Sequence, residues 1–462
     1  MQKITYIIAI IFVALVMDAN SVAQAADPWR LQEAIKLPSW LSLSGSFRTR
    51  YESLDSQFRV GRDGGDQILL MRTTAKAEIH HGPLTFGAEL QDSRAARGDT
   101  GTPITTSLVN PLELLQAYLQ WQTTDLVAPG ATSKLRAGRI TLDVGSRRFV
   151  ARNRFRNTIN AFTGIDWQWQ SSAGRKLHAF YTLPVDRHPS DPAALRDNDV
   201  EFDKEDGDIR FWGLYVSEPL SGDNNFEFFY FGLDEDDSSD RATRNRELST
   251  FGARLYREGR PSAFDYEFES MIQFGESHAS TSAFDISDLD HFAHFQHAEL
   301  GYTFQQRMSP RLVVQYDYAS GDDSPLDGGN ERFDTLFGAR RFDFGPTSIF
   351  GPFARANLAT PGIRLQLKPQ VRITSFIAYR AYWLASDKDA WTTSRARDSS
   401  GITSSFIGHQ VEARLRWNVV PKNIRLEFGL AHLFAGEFVE GAPNSNEQGD
   451  STHLYSQIAL TF

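Results

Sequence analysis

The chain has 462 residues, no cysteine, and 58 acidic against 48 Lys and Arg side chains, for a formal charge of −10. The missing cysteines exclude disulfide frameworks, thiolate metal sites and a cysteine nucleophile together; the acidic balance would normally argue against polyanionic partners, but it misleads here, because the acids cluster in loops while many arginines sit at inward strand positions, and no nucleic-acid partner is expected. Hydrophobic residues make up 41% and mean hydropathy is −0.38, which excludes a bundle of apolar helices but suits strands in which every second residue faces water.

A cationic tip at Lys3, an apolar run from Ile4 to Val16 and the ending Ala23-Gln24-Ala25 predict a signal peptide over 1–25. The run is shorter than the roughly 20 residues of a membrane span. Residues 26–38 then form a periplasmic N-terminal segment and 39–462 one closed domain, because no linker or composition shift divides the chain.

Alternation of polar and apolar residues predicts about 18 strands. They fall near 39–53, 67–79, 84–92, 112–122, 133–143, 160–171, 175–184, 209–218, 225–233, 247–257, 263–275, 292–305, 309–319, 361–368, 371–385, 405–418, 424–435 and 453–462. In the first, Leu41, Leu43, Phe47 and Tyr51 share one face while Ser42, Ser44, Ser46, Arg48, Arg50 and Glu52 share the other. Leu112, Leu115 and Leu119 also fit a helical period, but Leu115, Ala117, Leu119 and Trp121 against Gln116, Tyr118, Gln120 and Gln122 make the cleaner strand.

Connections alternate in kind. Tight turns such as His80-His81-Gly82-Pro83, Ser172-Ala173-Gly174 and Pro421-Lys422-Asn423 follow the even-numbered strands, and long polar segments such as 93–111, 185–208, 320–360 and 386–404 follow the odd-numbered ones. That segregation predicts an all-β fold: a single-chain transmembrane antiparallel β-barrel in the bacterial outer membrane, with short periplasmic turns and long extracellular loops. Trp40, Trp121, Trp167, Trp169, Trp383 and Trp417 suit aromatic girdles, given a polar lumen without an apolar core. The final strand, with Leu454, Ser456, Ile458, Leu460 and Phe462 on one face, suits recognition by barrel-assembly machinery.

Arginine at a lipid-facing midplane position costs about 2–4 kcal/mol, so strand arginines must face the lumen or stand above the membrane. The densest run is 136–156, with Arg136, Arg139, Arg147, Arg148, Arg152, Arg154 and Arg156. Arg48, Arg50, Arg72, Lys76, Arg364, Arg372, Arg380, Arg414, Arg416 and Arg425 are further inward candidates. Guanidinium grips carboxylate with a planar fork, and rings of it make pores anion-selective. The competing reading is structural: the same arginines pair with Glu52, Glu78, Glu89, Glu267, Glu269, Glu299, Glu412 and Glu427 and merely hold the barrel round.

RTRYE at 48–52, LLMRTT at 69–74, AGRITLDVGSRRFVARNRFRNTINAFTG at 137–164, FDTLFGARRFDFG at 333–345, SSFIGHQVEARLRW at 404–417 and FGLAHLFAGEFV at 428–439 resemble, in order, the alginate export family. The resemblance implies an 18-stranded porin whose electropositive constriction passes an anionic polyuronate, with Arg48, Arg50, Arg72, Arg139, Arg148, Arg152 and Arg156 on the basic motif positions. It departs from the family where Phe155-Arg156-Asn157 lacks a glutamine and where Phe162-Thr163-Gly164 lacks an aspartate. The implied partners are the polyuronate, the lipid bilayer with lipopolysaccharide, and a periplasmic secretion component.

The longest connection, 320–360, is rich in aromatics and carries Arg332, Arg340, Arg341 and Arg355, which predicts a loop folded into the pore. No cofactor or metal is expected. His291 and His297 share one strand face while His294 points away, and acidic runs such as 234–237 read as solvated loop. An outer-membrane hydrolase is the rival class, but no G-x-S-x-G elbow occurs and the histidines are scattered. An anion-preferring uptake porin is the other alternative, since direction of transport follows from the resemblance alone.

Overall fold

The computed structural model describes residues 28–238, 241–325, 327–445 and 449–462. The signal peptide expected over 1–25 lies outside the described residues.

The strands run in chain order as β1 (Leu41–Asp55), β2 (Asp66–His81), β3 (Leu84–Ala96), β4 (Asn110–Thr124), β5 (Thr132–Ile140), β6 (Phe162–Gln170) and β7 (Lys176–Asp186). They continue as β8 (Lys204–Glu205), β9 (Ile209–Pro219), β10 (Asn224–Glu235), β11 (Glu247–Arg257), β12 (Ala263–Ser277), β13 (Leu289–Thr303) and β14 (Arg311–Ala319). The last are β15 (Gly329–Asn330), β16 (Leu358–Gln370), β17 (Ile373–Trp383), β18 (Phe406–Val420), β19 (Ile424–Ala435) and β20 (Ser451–Thr461). β8 and β15 are two-residue pieces within loops. The others form a closed 18-strand antiparallel barrel, each paired with the next long strand and β20 returning to β1. Closure leaves no edge, which is the condition for β-structure to cross hydrocarbon.

Period two then decides what each side chain meets. On β1, Arg50 is 1% exposed while its neighbour Tyr51 is 40% exposed. Phe86, Ile165, Phe268, Ile272, Phe292, Val314 and Ile377 are likewise exposed on the outer wall. Trp40, Trp121 and Trp417 are exposed toward the short-turn end, as a girdle requires. Short turns such as 82–83 and 371–372 alternate with long loops such as 141–161, 187–208 and 320–357. No helix among the described residues is long and apolar enough to cross a membrane.

Three details differ from expectation. The segment 110–124 is a strand, but its pairing with β3 shifts register between Glu89 and Leu90, so that Glu89 faces Gln116 and Leu90 faces Leu114. The extra residue, Leu115, is 2% exposed and packs with Ile159, Ala161 and Val185 instead of following the parity of Leu119 and Trp121. The β5–β6 hairpin is shorter than the predicted 133–143 and 160–171, because the chain leaves the wall at Ile140 and rejoins it at Phe162. Finally, the lumen is not uniformly polar. Its extracellular half holds two apolar clusters, one around Ile68, Leu70, Phe350, Phe353 and Tyr382 and one around Phe149, Phe211, Phe231, Phe295 and Phe333. Loop aromatics supply the apolar core that strands alone do not. The periplasmic half keeps its polar lining.

Placing arginine at the lipid-facing centre of β12, by Phe268→Arg, is expected to cost about 2–4 kcal/mol in reversible unfolding from lipid vesicles. Met271→Gln on the inner face of the same strand serves as a control free of that lipid-facing penalty.

Candidate functional site

The short β5–β6 hairpin releases 141–161 into the barrel, where arginines on β1 and β2 seize its backbone. Arg48 donates to the carbonyls of Arg154 (2.8 Å), Phe155 (3.1 Å) and Arg156 (3.2 Å). Arg50 Nη1 donates to Phe155 O at 2.6 Å and Arg72 Nη1 to Arg156 O at 3.1 Å. Arg50 also lies 3.9 Å from the Phe155 ring centroid and pairs with Glu52 at 2.7 Å. Asn157, fully buried, donates to Leu108 O at 2.7 Å and Met71 O at 3.1 Å. Thus the Phe155-Arg156-Asn157 segment is the loop's anchor.

The second inward loop comes from 331–357 and is stitched to the first. Phe337 N donates to Phe149 O at 2.9 Å, Ala151 N to Phe337 O at 3.2 Å and Ala339 N to Arg147 O at 3.0 Å, around a parallel bridge between Val150 and Phe337. A Cβ on Gly338 would lie 1.7 Å from Arg148 O, so only glycine permits this approach. Arg148 binds the carboxylates of Glu267, of Glu269 at 2.6 Å and of Asp343 at 3.0 Å, and reaches His297 Nε2 at 2.9 Å. Asp343 also receives Arg355, whose Nη1 reaches Arg148 O at 3.1 Å. Arg341 pairs with Glu412 at 2.6 Å, tying the second loop to β18. The predicted inward fold of 320–360 is therefore what the chain adopts.

The sequence-nominated arginines separate by what they bind. Arg148 and Arg380 lie inside the barrel but are buried, Arg380 against Asp317 at 2.8 Å, so they hold structure and do not face open lumen. Arg136 pairs with Asp166 at 2.6 Å, Arg152 with Glu89 at 2.6 Å and Arg416 with Glu427 at 2.8 Å. Arg154, paired with Asp143 at 2.8 Å, keeps 71% of its side chain open. Arg156 lines an extracellular chamber. Arg364 and Arg414 lie over the Phe376 ring, 5.1 and 4.6 Å from its centroid, without a carboxylate partner among the described residues. Arg372 lies in the periplasmic turn after β16, beyond the strand.

Arg139 departs from the pore-lining expectation. It has the outward parity of the exposed Leu135 and Ala137, at the extracellular end of β5. Its guanidinium binds Glu113 at 2.5 Å, Glu205 at 2.8 Å and Asp203 O at 3.3 Å. It pins the 187–208 loop across the gap that the short hairpin leaves beside β4. Residues that sequence reasoning did not single out include Arg187, Arg254 and Arg311. Inward parity marks the last two on β11 and at the start of β14, whereas no period marks Arg187 in its loop.

The joined loops lie between two cavities. A periplasmic one of about 580 Å³ is lined by polar and aromatic groups including Lys134, Gln168, Tyr215, Glu227, Arg254 and Tyr256. An extracellular one of about 390 Å³ is lined by Arg156, Arg187, Arg241, Arg340, Arg355 and Asp186, among others. Several histidines are engaged with acids, as in His178–Asp166, His297–Asp317 and His453–Glu52, while His80 and His291 meet neutral groups. No group of three or more side chains able to hold a metal ion occurs among the described residues.

In the 187–208 loop, burial and then the Glu113 carboxylate push the Asp203 pKa up to about 7. Asn110 Nδ2 and His188 N donate to it at 2.8 and 2.9 Å. A raised acid holds its proton better folded than unfolded, so its contribution is complete below the ordinary value near 4 and fades as pH rises from about 4 to about 7. Amide exchange of 187–205, corrected for intrinsic rates, is expected to accelerate through that window and to lose the dependence in Asp203→Asn. Arg148→Met leaves Glu269 buried without a cation, while Glu267 and Asp343 keep only Arg254 and Arg355, and is expected to cost about 3–5 kcal/mol in unfolding experiments and to raise single-channel conductance.

Three crystal structures from Pseudomonas aeruginosa share the fold at low identity: OccK9 (OpdG), 12% identical, TM-score 0.58, covering 91% of this chain and 98% of that one; opdK, 11% identical, TM-score 0.57, covering 91% and 99%; and OccK11 (OpdR), 13% identical, TM-score 0.54, covering 91% and 96%. No curated protein sequence matches the chain. A family model described as alginate export matches residues 39–450, nearly the whole barrel. With its closed wall and inward loops, the chain belongs to the alginate export family and is an outer-membrane channel.

Proposed function

We propose that the channel conducts anions, and that its substrate is a carboxylate-rich polymer of the polyuronate class leaving the periplasm. The observation that carries this reading is the wall formed by β16–β19 in the periplasmic half. Arg364, Arg414 and Arg425 there have no carboxylate partner among the described residues, while Glu427 is shared between Arg416 and the Tyr455 hydroxyl. On β10–β14 the balance differs: Glu227, Asp265, Glu267 and Glu299 already hold Arg254 and Arg311. Arg364 gives Nη2 to Phe342 O at 2.9 Å, but guanidinium without carboxylate partners on one wall is what a moving carboxylate would track. Membership of the alginate export family supports polyuronate as the cargo and outward movement.

A second reading has its own observation. Cavities of about 580 and 390 Å³ on either side of the joined loops suit small solutes, which favours uptake of short anions through the same barrel. The periplasmic component and lipopolysaccharide contacts belong with the export reading.

Reversal potentials in a salt gradient across planar bilayers are expected to show anion preference, shifted toward cations by the double variant Arg364→Glu/Arg414→Glu. Oligouronates of several residues are expected to block current more strongly than the monomer. Cation preference in the native channel would sink the anion reading, and equal block by monomer and oligomer would favour uptake over polymer export.

A further inference from the structure

The extracellular chamber gathers guanidiniums from three separate segments: Arg156 from 141–161, Arg187 from the loop after β7, and Arg340 from 331–357. Arg156 Nη2 and Arg187 Nη1 donate to the same acceptor, Asn160 Oδ1, the latter over 2.9 Å. Arg187 Nε also reaches Thr106 O at 3.0 Å. The other charges lining the chamber are matched, Arg355 with Asp343 and Arg241 with Asp186 at 3.5 Å. Neither Arg156 nor Arg340 has a carboxylate partner among the described residues.

Two half-buried cations sharing one amide oxygen, with a third on the same cavity lining, are an unbalanced arrangement. Burial, and then Arg187 and Arg340, hold the Arg156 pKa well below the ordinary guanidinium range. Burial, and then Arg355, bring Arg340 down to about 10. A buried charge is ordinarily paired, and an anion in the cavity would supply the missing charge. The hydroxyls of Ser107 and Thr347 on the same lining offer further donors.

We propose that the chamber is an oxyanion site, formed by Arg156, Arg187 and Arg340, and that the bound anion ties the three loops into one body. The ligand is a carboxylate of the uronate type or an inorganic oxyanion with the same chemistry. This goes beyond conduction, because it gives an anion a resident structural role. The site requires no current to flow.

The test is hydrogen exchange of the full-length barrel in detergent micelles at constant ionic strength, with sodium glucuronate, sodium sulfate or neutral glucose. Glucuronate is expected to protect amides in 141–161, 187–203 and 331–357 together and saturably, while glucose protects none. Sulfate protection equal to glucuronate's identifies a general oxyanion site, and protection by glucuronate alone a carboxylate site. Arg340→Gln is expected to weaken half-saturation on the order of tenfold or more, with partial recovery in Arg340→Lys. Arg187→Gln, which leaves the second loop's own residues intact, is the parallel variant. Absence of saturable protection by either anion, protection confined to one loop, or unchanged binding in both Gln variants would overturn the site. A cation-preferring channel that still shows three-loop protection would instead refute anion conduction and leave the site standing.

Discussion

A peptide group in hydrocarbon has only other peptide groups to bond, so the last strand has to find the first. β20 does so by pairing with β1 from Ser46 opposite Thr461 to Asp55 opposite Thr452. Once the sheet is sealed, alternation sends every charged strand residue of the membrane zone inward, and cations and acids crowd a narrow space. They satisfy one another where the register allows, as in Arg50 with Glu52, Arg311 with Asp265 and Arg380 with Asp317. Where carboxylates are short, main-chain carbonyls substitute, and Arg48 and Arg72 draw 154–156 into the lumen for that reason. The inward loop is thus a consequence of the charge inventory of β1 and β2.

Two populations of arginine result. Arg148 and Arg355 are structural members whose donors converge on Asp343 and its neighbours, and they hold the two inward loops against β12. Arg364, Arg414 and Arg425 line the wall without ion pairs, stacked on Phe376 in the first two cases. Composition treats these side chains alike; only burial and partners separate a fastener from a surface that meets solute.

Much of the barrel was legible because period two is strict over long strands. Arg48, Arg50, Arg72, Arg364 and Arg414 sit on the inner face that alternation assigns, and His294 points away from His291 and His297 as a strand requires. Legibility failed where the period breaks. A bulge turns Leu115 inward, whereas Arg139 keeps the period: it shares the parity of Leu135 and Ala137, opposite Arg136, which puts it on the outer wall beside Glu205. Loop residues have no parity at all, so the convergence of Arg156 and Arg187 on Asn160 depends on backbone paths that no local pattern encodes. The expectation of a wholly polar lumen failed for a related reason: the aromatics of 331–357 find their partners on strands distant in sequence, such as Phe350 on His453 and Phe353 on Tyr382.

The bridge between Val150 and Phe337 has a mechanical corollary. Two flaps riveted at their centres, with Gly338 allowing no slack over Arg148 O, share one hinge coordinate. Displacing either drags the other. Such an obstruction yields as a unit, so current through the barrel should step between two levels and show no intermediate in which one flap alone has swung aside.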